Sequence, residues 1–250
     1  MTIIEDDIDL QNHVKGRQCF IKNEDELDII LLEEPENHLS HINMLNLIER
    51  LNKSPNKQLF ITTHNSLISA QLDLRNSTLL NSSSKESIDL EKLSEETVKF
   101  FIKSPYNNIL EFILSSKVIL VEGDTEYILL EKFFELETGK KSNLSDMHII
   151  SVGGKRFKRY MEVARLLKIK TAVIRTIKKN DIYTFELSLY NSNKEICNDI
   201  FSKKLTENKN VEQYMLNKKT EYALELLDKK GDELAVPEYI KESIKWLREN

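Results

Sequence analysis

Two apolar runs near the front of the chain and an alternation of apolar and amphipathic segments behind them set its architecture. Asp28 leads into Ile29-Ile30-Leu31-Leu32, which ends on Glu33-Glu34-Pro35. Four Ile/Leu residues between polar ends read as a strand buried on both faces, as in a parallel sheet. Gln58 to Thr62 repeats the pattern, with helical spacing from Ser40 to Asn52 between the two strands. A further helix and a strand near Ser77 to Leu80 follow. The serine-rich stretch Ser82 to Ser87 reads as a surface connection. Helical spacing returns from Glu95 to Leu114, with a break expected at Ser104-Pro105. From Lys117 the chain alternates: a strand to Val121, helix Thr125–Glu137, strand His148–Val152, helix Arg156–Leu167 and strand Thr171–Ile174. Strands alternating with helices predict an α/β domain on a parallel sheet. Residues 1–26 are polar and give no assignable element.

Composition narrows the class. A chain of 250 residues accommodates one or two domains and a sizeable core. The formal net charge of −5 excludes a bulk positive field, so any nucleic-acid surface must be a local patch. Cys19 and Cys197 lie far apart without ligand spacing, which argues against a zinc site or a disulfide framework. The acidic N-terminus predicts no signal peptide, and no apolar stretch approaches the ~18 residues of a membrane span. A cytoplasmic enzyme with no membrane partner is the expectation.

Two places carry candidate chemistry. Carboxylates at the C-terminal end of a parallel strand stand where open α/β sheets put their ligands. Of the adjacent pair Glu33-Glu34, one carboxylate can hold Mg²⁺ directly or through water and its neighbour can polarise the water that attacks a γ-phosphate. His64, 30 positions after Glu34, ends the second strand where it can reach the same phosphate. The second place is Val118-Ile119-Leu120-Val121-Glu122-Gly123-Asp124-Thr125-Glu126, a short strand, a glycine turn and a helix start. Glu122 and Glu126 are spaced to face one metal cluster. Val152-Gly153-Gly154-Lys155 follows a strand, and reads equally as a phosphate-approaching loop or a plain glycine turn.

These residues carry a family resemblance. The first constellation is similar to the Walker B strand and switch-histidine strand of ABC-type ATPases, and the second to the opening motif of the Toprim fold. In that order they resemble the overcoming-lysogenization-defect (OLD) nucleases over most of residues 14–250. Gly16-Arg17-Gln18 resembles that family's reduced ABC signature, Glu34 to His41 its Walker B and following loop, and Thr63 to Ser69 its switch histidine and helix. The resemblance implies a signature-bearing remnant at 1–26, the C-terminal part of an ABC ATPase sheet at 27–94, a helical linker at 95–116 and a Toprim domain at 117–250. It further implies Glu34, His64, Glu122 and Lys219 as catalytic, with Lys219 near the scissile phosphate. Gly16, Arg17, Gln18, Glu33, Glu34 and His64 would attend ATP, and Glu33, Glu122, Glu126 and Glu186 would bind Mg²⁺ or Mn²⁺. Trp246, on the closing helix, is expected to be a packing anchor rather than a base-stacking residue.

Two departures qualify the resemblance. No G-x-x-x-x-G-K-[ST] occurs anywhere in the chain, so the backbone cradle for ATP phosphates is absent from it. The chain resembles the C-terminal portion of a longer relative. The strand Thr171 to Ile174 then runs into Arg175-Thr176-Ile177-Lys178-Lys179, where Toprim enzymes carry an Asp-x-Asp metal motif. Asp181 is the next acid and the weak candidate to replace it. The implied function is an ATP-dependent, divalent-metal-dependent DNA endonuclease in anti-phage defence, incomplete in this chain, with DNA as partner and a homo-oligomer as assembly. The alternatives are a non-catalytic binding or assembly module, and one half of a split enzyme whose partner supplies the P-loop.

Overall fold

The computed structural model describes residues 4–5, 8–9, 29–37, 40–52, 58–65, 74–79, 88–103, 108–145, 147–154, 156–175, 184–205 and 210–249. The chain divides into two compact units, residues 1–110 and 111–250, each with its own sheet structure. The boundary falls within the segment expected to be a helical linker.

The first unit contains three two-stranded sheets among its described residues. Strands β1 (Ile4–Glu5) and β2 (Ile8–Asp9) pair antiparallel. Strand β3 (Ile29–Glu33) leads through helix α1 (His41–Asn52) into β4 (Gln58–Thr62), which lies parallel to it with Glu33 opposite Thr62. Parallel strands need such a crossover, because a tight turn can only reverse the chain. Strands β5 (Thr78–Leu79) and β6 (Ile88–Asp89) pair antiparallel, and helix α2 (Glu95–Lys103) follows. The expectation of a strand buried on both faces fails at β3. Burial alternates along it, with Ile29 55% and Leu31 74% exposed, and Phe60 of β4 is 51% exposed. Apolar content alone cannot distinguish a strand covered on two faces from one covered on a single face.

The second unit opens with α3 (Ile109–Leu114), whose first residues precede the boundary, and builds a parallel sheet in the order β8-β7-β9. Strand β7 (Lys117–Val121) is central, flanked by β8 (Met147–Ser151) and β9 (Lys170–Ile174). Helix α4 (Asp124–Thr138) joins β7 to β8, and α5 (Phe157–Leu167) joins β8 to β9. Helices α6 (Phe185–Ser192), α7 (Lys194–Phe201), α8 (Val211–Asn217), α9 (Lys219–Lys230) and α10 (Glu238–Arg248) complete the unit. Residues Val118 to Val121 are wholly buried, so here the two-faced expectation holds. Ile119 and Val121 join Phe133 and Phe134 of α4, Leu226 of α9, and Ile240, Ile244 and Leu247 of α10 in one core. Val118 and Leu120 point to the opposite face by the two-residue period of a strand.

Local chemistry sets the element ends. Gly139 takes the left-handed conformation (φ 71°) at the end of α4 and donates its N–H to the Glu135 carbonyl, closing the helix. Thr184 caps α6 by accepting from the Leu187 N–H at 3.2 Å. Asn210 and Gln213 form a reciprocal capping box at the start of α8. Buried Asn193 donates to the carbonyls of Leu189 (3.1 Å) and Ala235 (2.9 Å) and accepts from the Ala235 N–H at 2.7 Å. That side chain fixes the segment leading into α10. Among the described residues, no helix is long and apolar enough to cross a membrane.

Candidate functional site

In the second unit the acids collect at the C-terminal edge of the sheet. Glu122 directly follows β7, Gly123 is the N-cap of α4, and Glu126 sits in the helix's first turn beside Asp124. Acidic groups there are favoured by the positive end of the helix dipole. The β8–α5 turn closes over the same edge: the Gly154 N–H donates to the Glu122 carbonyl at 2.7 Å, and the Val152 N–H to the Val121 carbonyl at 3.0 Å. Gly154 has φ 105°, which a side chain would strain, so the glycine turn has a structural task in holding Glu122 in place.

Glu186, in the first turn of α6, and Lys219, the first residue of α9, complete the group. Lys219 Nζ lies 3.4 Å from Glu186 Oε1, with the carboxylate side chain 5% and the lysine side chain 63% exposed. Burial is the main cause that raises the Glu126 carboxyl above its ordinary value; the charges of Glu186 and Glu122 add to the rise, while its backbone N–H and Lys219 oppose it. Glu122, Glu126, Glu186 and Lys219 thus interact as one cluster, although up to 97 positions separate them.

Two tyrosines lie near enough to feel its charge. Tyr222 of α9 is fully buried, its hydroxyl has no hydrogen-bond partner among the described residues, and burial together with the nearby Glu186 and Glu126 pushes its ionisation upward. Burial also raises Tyr239 of α10, to about 12, with the same two carboxylates contributing and a hydrogen bond with Ser188 opposing. Sequence reasoning assigned neither tyrosine a role. The only available signal was that Tyr222 lies one helical turn beyond Lys219.

The donor chemistry fits a hard divalent cation. Glu186 pairs with the Lys219 ammonium, and a dication beside Glu126 would offset the Glu186 and Glu122 charges that add to the burial-driven rise of its carboxyl. No group of three or more His, Cys, Asp or Glu side chains among the described residues is placed to hold a metal ion, so no all-protein cage exists there. Mg²⁺ does not require one, since it retains waters and commonly uses one or two carboxylates. The strand that should deliver further acids, β9, ends instead at Ile174 and Arg175. Asp181 lies outside the described residues.

Residues 113–175 match the family model described as "Overcoming lysogenization defect protein-like, TOPRIM domain". The chain carries an OLD-like Toprim domain. The match starts in α3, spans β7, β8 and β9, and ends at Arg175, where the sequence parts from the Asp-x-Asp pattern. A solved structure of the C-terminal region of the Burkholderia pseudomallei OLD protein is similar at 14% identity, covering 54% of this chain and 97% of that one, with a TM-score of 0.36. No curated protein matches the chain significantly.

The first unit gathers a separate group of polar residues. Glu34 adopts φ 41°, uncommon for a side chain other than glycine, and its N–H donates to the Thr62 carbonyl at 2.9 Å. This turn brings Glu34 Oε1 within 3.5 Å of His64 Nδ1 and lets Asn37 donate to Glu34 Oε2 at 2.6 Å. Glu36, given no role from the sequence, is the anchor. Its Oε1 accepts from the Thr63 hydroxyl at 2.7 Å and the His64 N–H at 3.0 Å. Burial is the largest single influence on Glu36 and opposes its charge, but these bonds, its own backbone N–H and His64 together hold its carboxyl below the ordinary value. Glu33 is exposed on the face of β3 shared with Ile29 and Leu31, and has no hydrogen bond or ion pair among the described residues. The structure thus joins Glu34 to His64 but, among the described residues, brings no partner to Glu33. Gly16, Arg17 and Gln18 lie outside the described residues.

Proposed function

We propose that the Toprim domain acts on DNA phosphodiesters, with Mg²⁺ or Mn²⁺ held by Glu122 and Glu126. Its membership of the OLD-like Toprim family suggests nuclease-type chemistry, and the convergence of Glu122, Glu126, Glu186 and Lys219 at one sheet edge is the observation that carries the reading. A bound divalent ion would supply electrophilic activation of the phosphate and lower the pKa of a bound water. Glu122, pinned through its carbonyl by Gly154, presents an anionic oxygen donor at the strand end. Glu126 retains a proton to higher pH than an ordinary glutamate and becomes a full anion when a cation offsets its neighbours. Lys219 holds Glu186 and places a positive charge where a phosphate oxygen would approach. Tyr222 and the packed face of α4 exclude water from behind the carboxylates.

Turnover should be weak. Two-metal hydrolysis needs carboxylates on both sides of ions about 3.5–4 Å apart. Here β9 delivers Arg175, which favours phosphate and opposes a second dication. Binding of DNA therefore outlasts cleavage. The test is incubation of the chain with supercoiled plasmid and Mg²⁺ or Mn²⁺ beside Glu122→Ala. Slow, metal-dependent nicking that disappears in the variant supports the reading, and nicking unaffected by the substitution overturns it.

For the first unit we propose the nucleotide-sensing half of an OLD-type, ATP-regulated protein of anti-phage defence. Glu34 and His64 are in mutual reach, and the phosphate cradle must come from elsewhere. A separate P-loop partner is favoured by one observation, the exposed apolar strip of Ile29, Leu31 and Phe60 on the β3–β4 sheet. ATP hydrolysis appearing only when a P-loop-bearing protein is added, and lost in Leu31→Asp, would support that partnership.

A further inference from the structure

Helix α10 lays one stripe of side chains along strand β9. Tyr239, Glu242, Ser243 and Trp246 occupy positions i, i+3, i+4 and i+7, which fall on one side of a helix. They line a groove of about 380 Å³ whose other wall is Ala172 to Arg175. That size lies within the ~300–1,000 Å³ range of ligand-binding clefts. The buried residues of the same helix, Ile240, Ile244 and Leu247, hold it against the sheet and leave the stripe outward.

The expectation that Trp246 is a packing anchor fails here. Trp246 is 48% and Tyr239 37% exposed, both facing the groove. Lys170 places its ammonium 4.8 Å from the centre of the indole, and its position is fixed by donating to the Glu249 carbonyl. A cation over one face leaves the ring poised for stacking on its other face. Exposed single aromatics are ordinary, but two on one groove flanked by Arg175 and Lys170 are the combination that binds single strands.

The groove lies near the carboxylate cluster. Tyr239 lines it and also feels the charges of Glu126 and Glu186. Ile174, at the groove's end of β9, pairs in register with Val121, the residue before Glu122. The β9 wall of the groove therefore ends beside the strand end that precedes Glu122.

We propose that this groove binds single-stranded DNA by stacking a base on Trp246, with Arg175 on the adjoining phosphate. The proposal rests on the nuclease-type reading of the Toprim domain and names its substrate class as unpaired DNA. Glu242 faces the base edge, where a carboxylate accepts a hydrogen bond from an exocyclic amine such as that of cytosine. Tyr239 stands between the stacked base and the carboxylates and sets the register between them. A closed duplex has no free base face to offer the indole, so it is excluded.

The chain has one tryptophan, so its intrinsic emission reports the groove directly. The full chain, in EDTA to prevent cleavage, is titrated with a short single-stranded oligonucleotide, an abasic strand of equal length and the corresponding duplex. Saturable quenching by the base-bearing strand is expected, with the abasic strand binding roughly 5- to 150-fold more weakly, as loss of one stacked base requires. Anisotropy of a labelled strand should show the same loss for Trp246→Ala and partial retention for Trp246→Phe, with circular dichroism confirming the fold. Equal affinity for the abasic strand, equal quenching by the duplex, or no binding of the single strand overturns the proposal. Because the titration requires no turnover, its failure is distinct from failure of the nicking assay. Nicking lost in Glu122→Ala but unchanged in Trp246→Ala would leave the nuclease reading standing and remove this one.

Discussion

Lys219 and Glu186 form an unequal pair: the lysine ammonium is largely in solvent, while the carboxylate 3.4 Å away is almost wholly buried. Removing the lysine strands a charge that cannot rehydrate. Lys219→Ala should lower stability by about 1–2 kcal/mol, less than the 3–5 kcal/mol of a fully buried pair because the ammonium is exposed. Lys219→Arg should retain most of it, and the double change Lys219→Ala with Glu186→Gln should recover part. Urea unfolding of the variants measures this; additive losses in the double variant would show that the pair does not couple.

Glu126 makes stability fall as pH rises. Its carboxyl is raised in the folded state by burial first and by Glu186 and Glu122 after it, so the folded chain holds that proton more tightly than the unfolded chain does. The contribution is complete below the ordinary glutamate value of about 4.3 and is lost as pH passes through the raised folded value. Glu126→Gln, which mimics the protonated group, should be more stable than wild type at pH 7, with the gain vanishing near pH 4. Unfolding curves across this range check the sign.

Glu36 should behave in the opposite way. Its folded carboxyl is depressed, so it stabilises the chain above the unfolded value, and the benefit disappears as pH falls through the folded value. Glu36→Gln should cost about 1–2 kcal/mol at neutral pH, since the bonds from Thr63 and His64 lose their charged acceptor. A cost that persists unchanged in acid would point to packing rather than charge.

ATP turnover by the chain alone should be negligible. Glu34 and His64 stand 3.5 Å apart, but no G-x-x-x-x-G-K-[ST] accompanies them to hold the β- and γ-phosphates. Phosphate release assayed beside Glu34→Gln tests this, and robust activity abolished by the variant would show that another element supplies the cradle.

Much of this was legible in the residues themselves. The strand–Gly–helix order at Val121 to Glu126 predicts β7 and α4 because periodicity and glycine placement are local properties of the chain. The successive elements through Ile174 follow for the same reason, to within a residue or two at each end. Glu122, Glu126, Glu186 and Lys219 were each singled out, the last two through family resemblance alone, yet their meeting requires α6 and α9 to fold back onto the β7 edge. No short-range pattern encodes that. Which faces are covered was likewise decided only by the assembled fold. The Ile/Leu run of β3 looks as buried as that of β7, but Ile119 and Val121 of β7 lie under helix side chains such as Phe133, Leu226 and Ile244, while Ile29 and Leu31 of β3 are exposed. Trp246 shows the same limit in reverse. Hydrophobicity argues for packing, whereas its place on the outward stripe of α10 is fixed by Ile240, Ile244 and Leu247 taking the inward one. Sequence determines the local conformation and the inventory of charges; tertiary contact alone determines which of them share a site, because burial and proximity belong to pairs of distant residues.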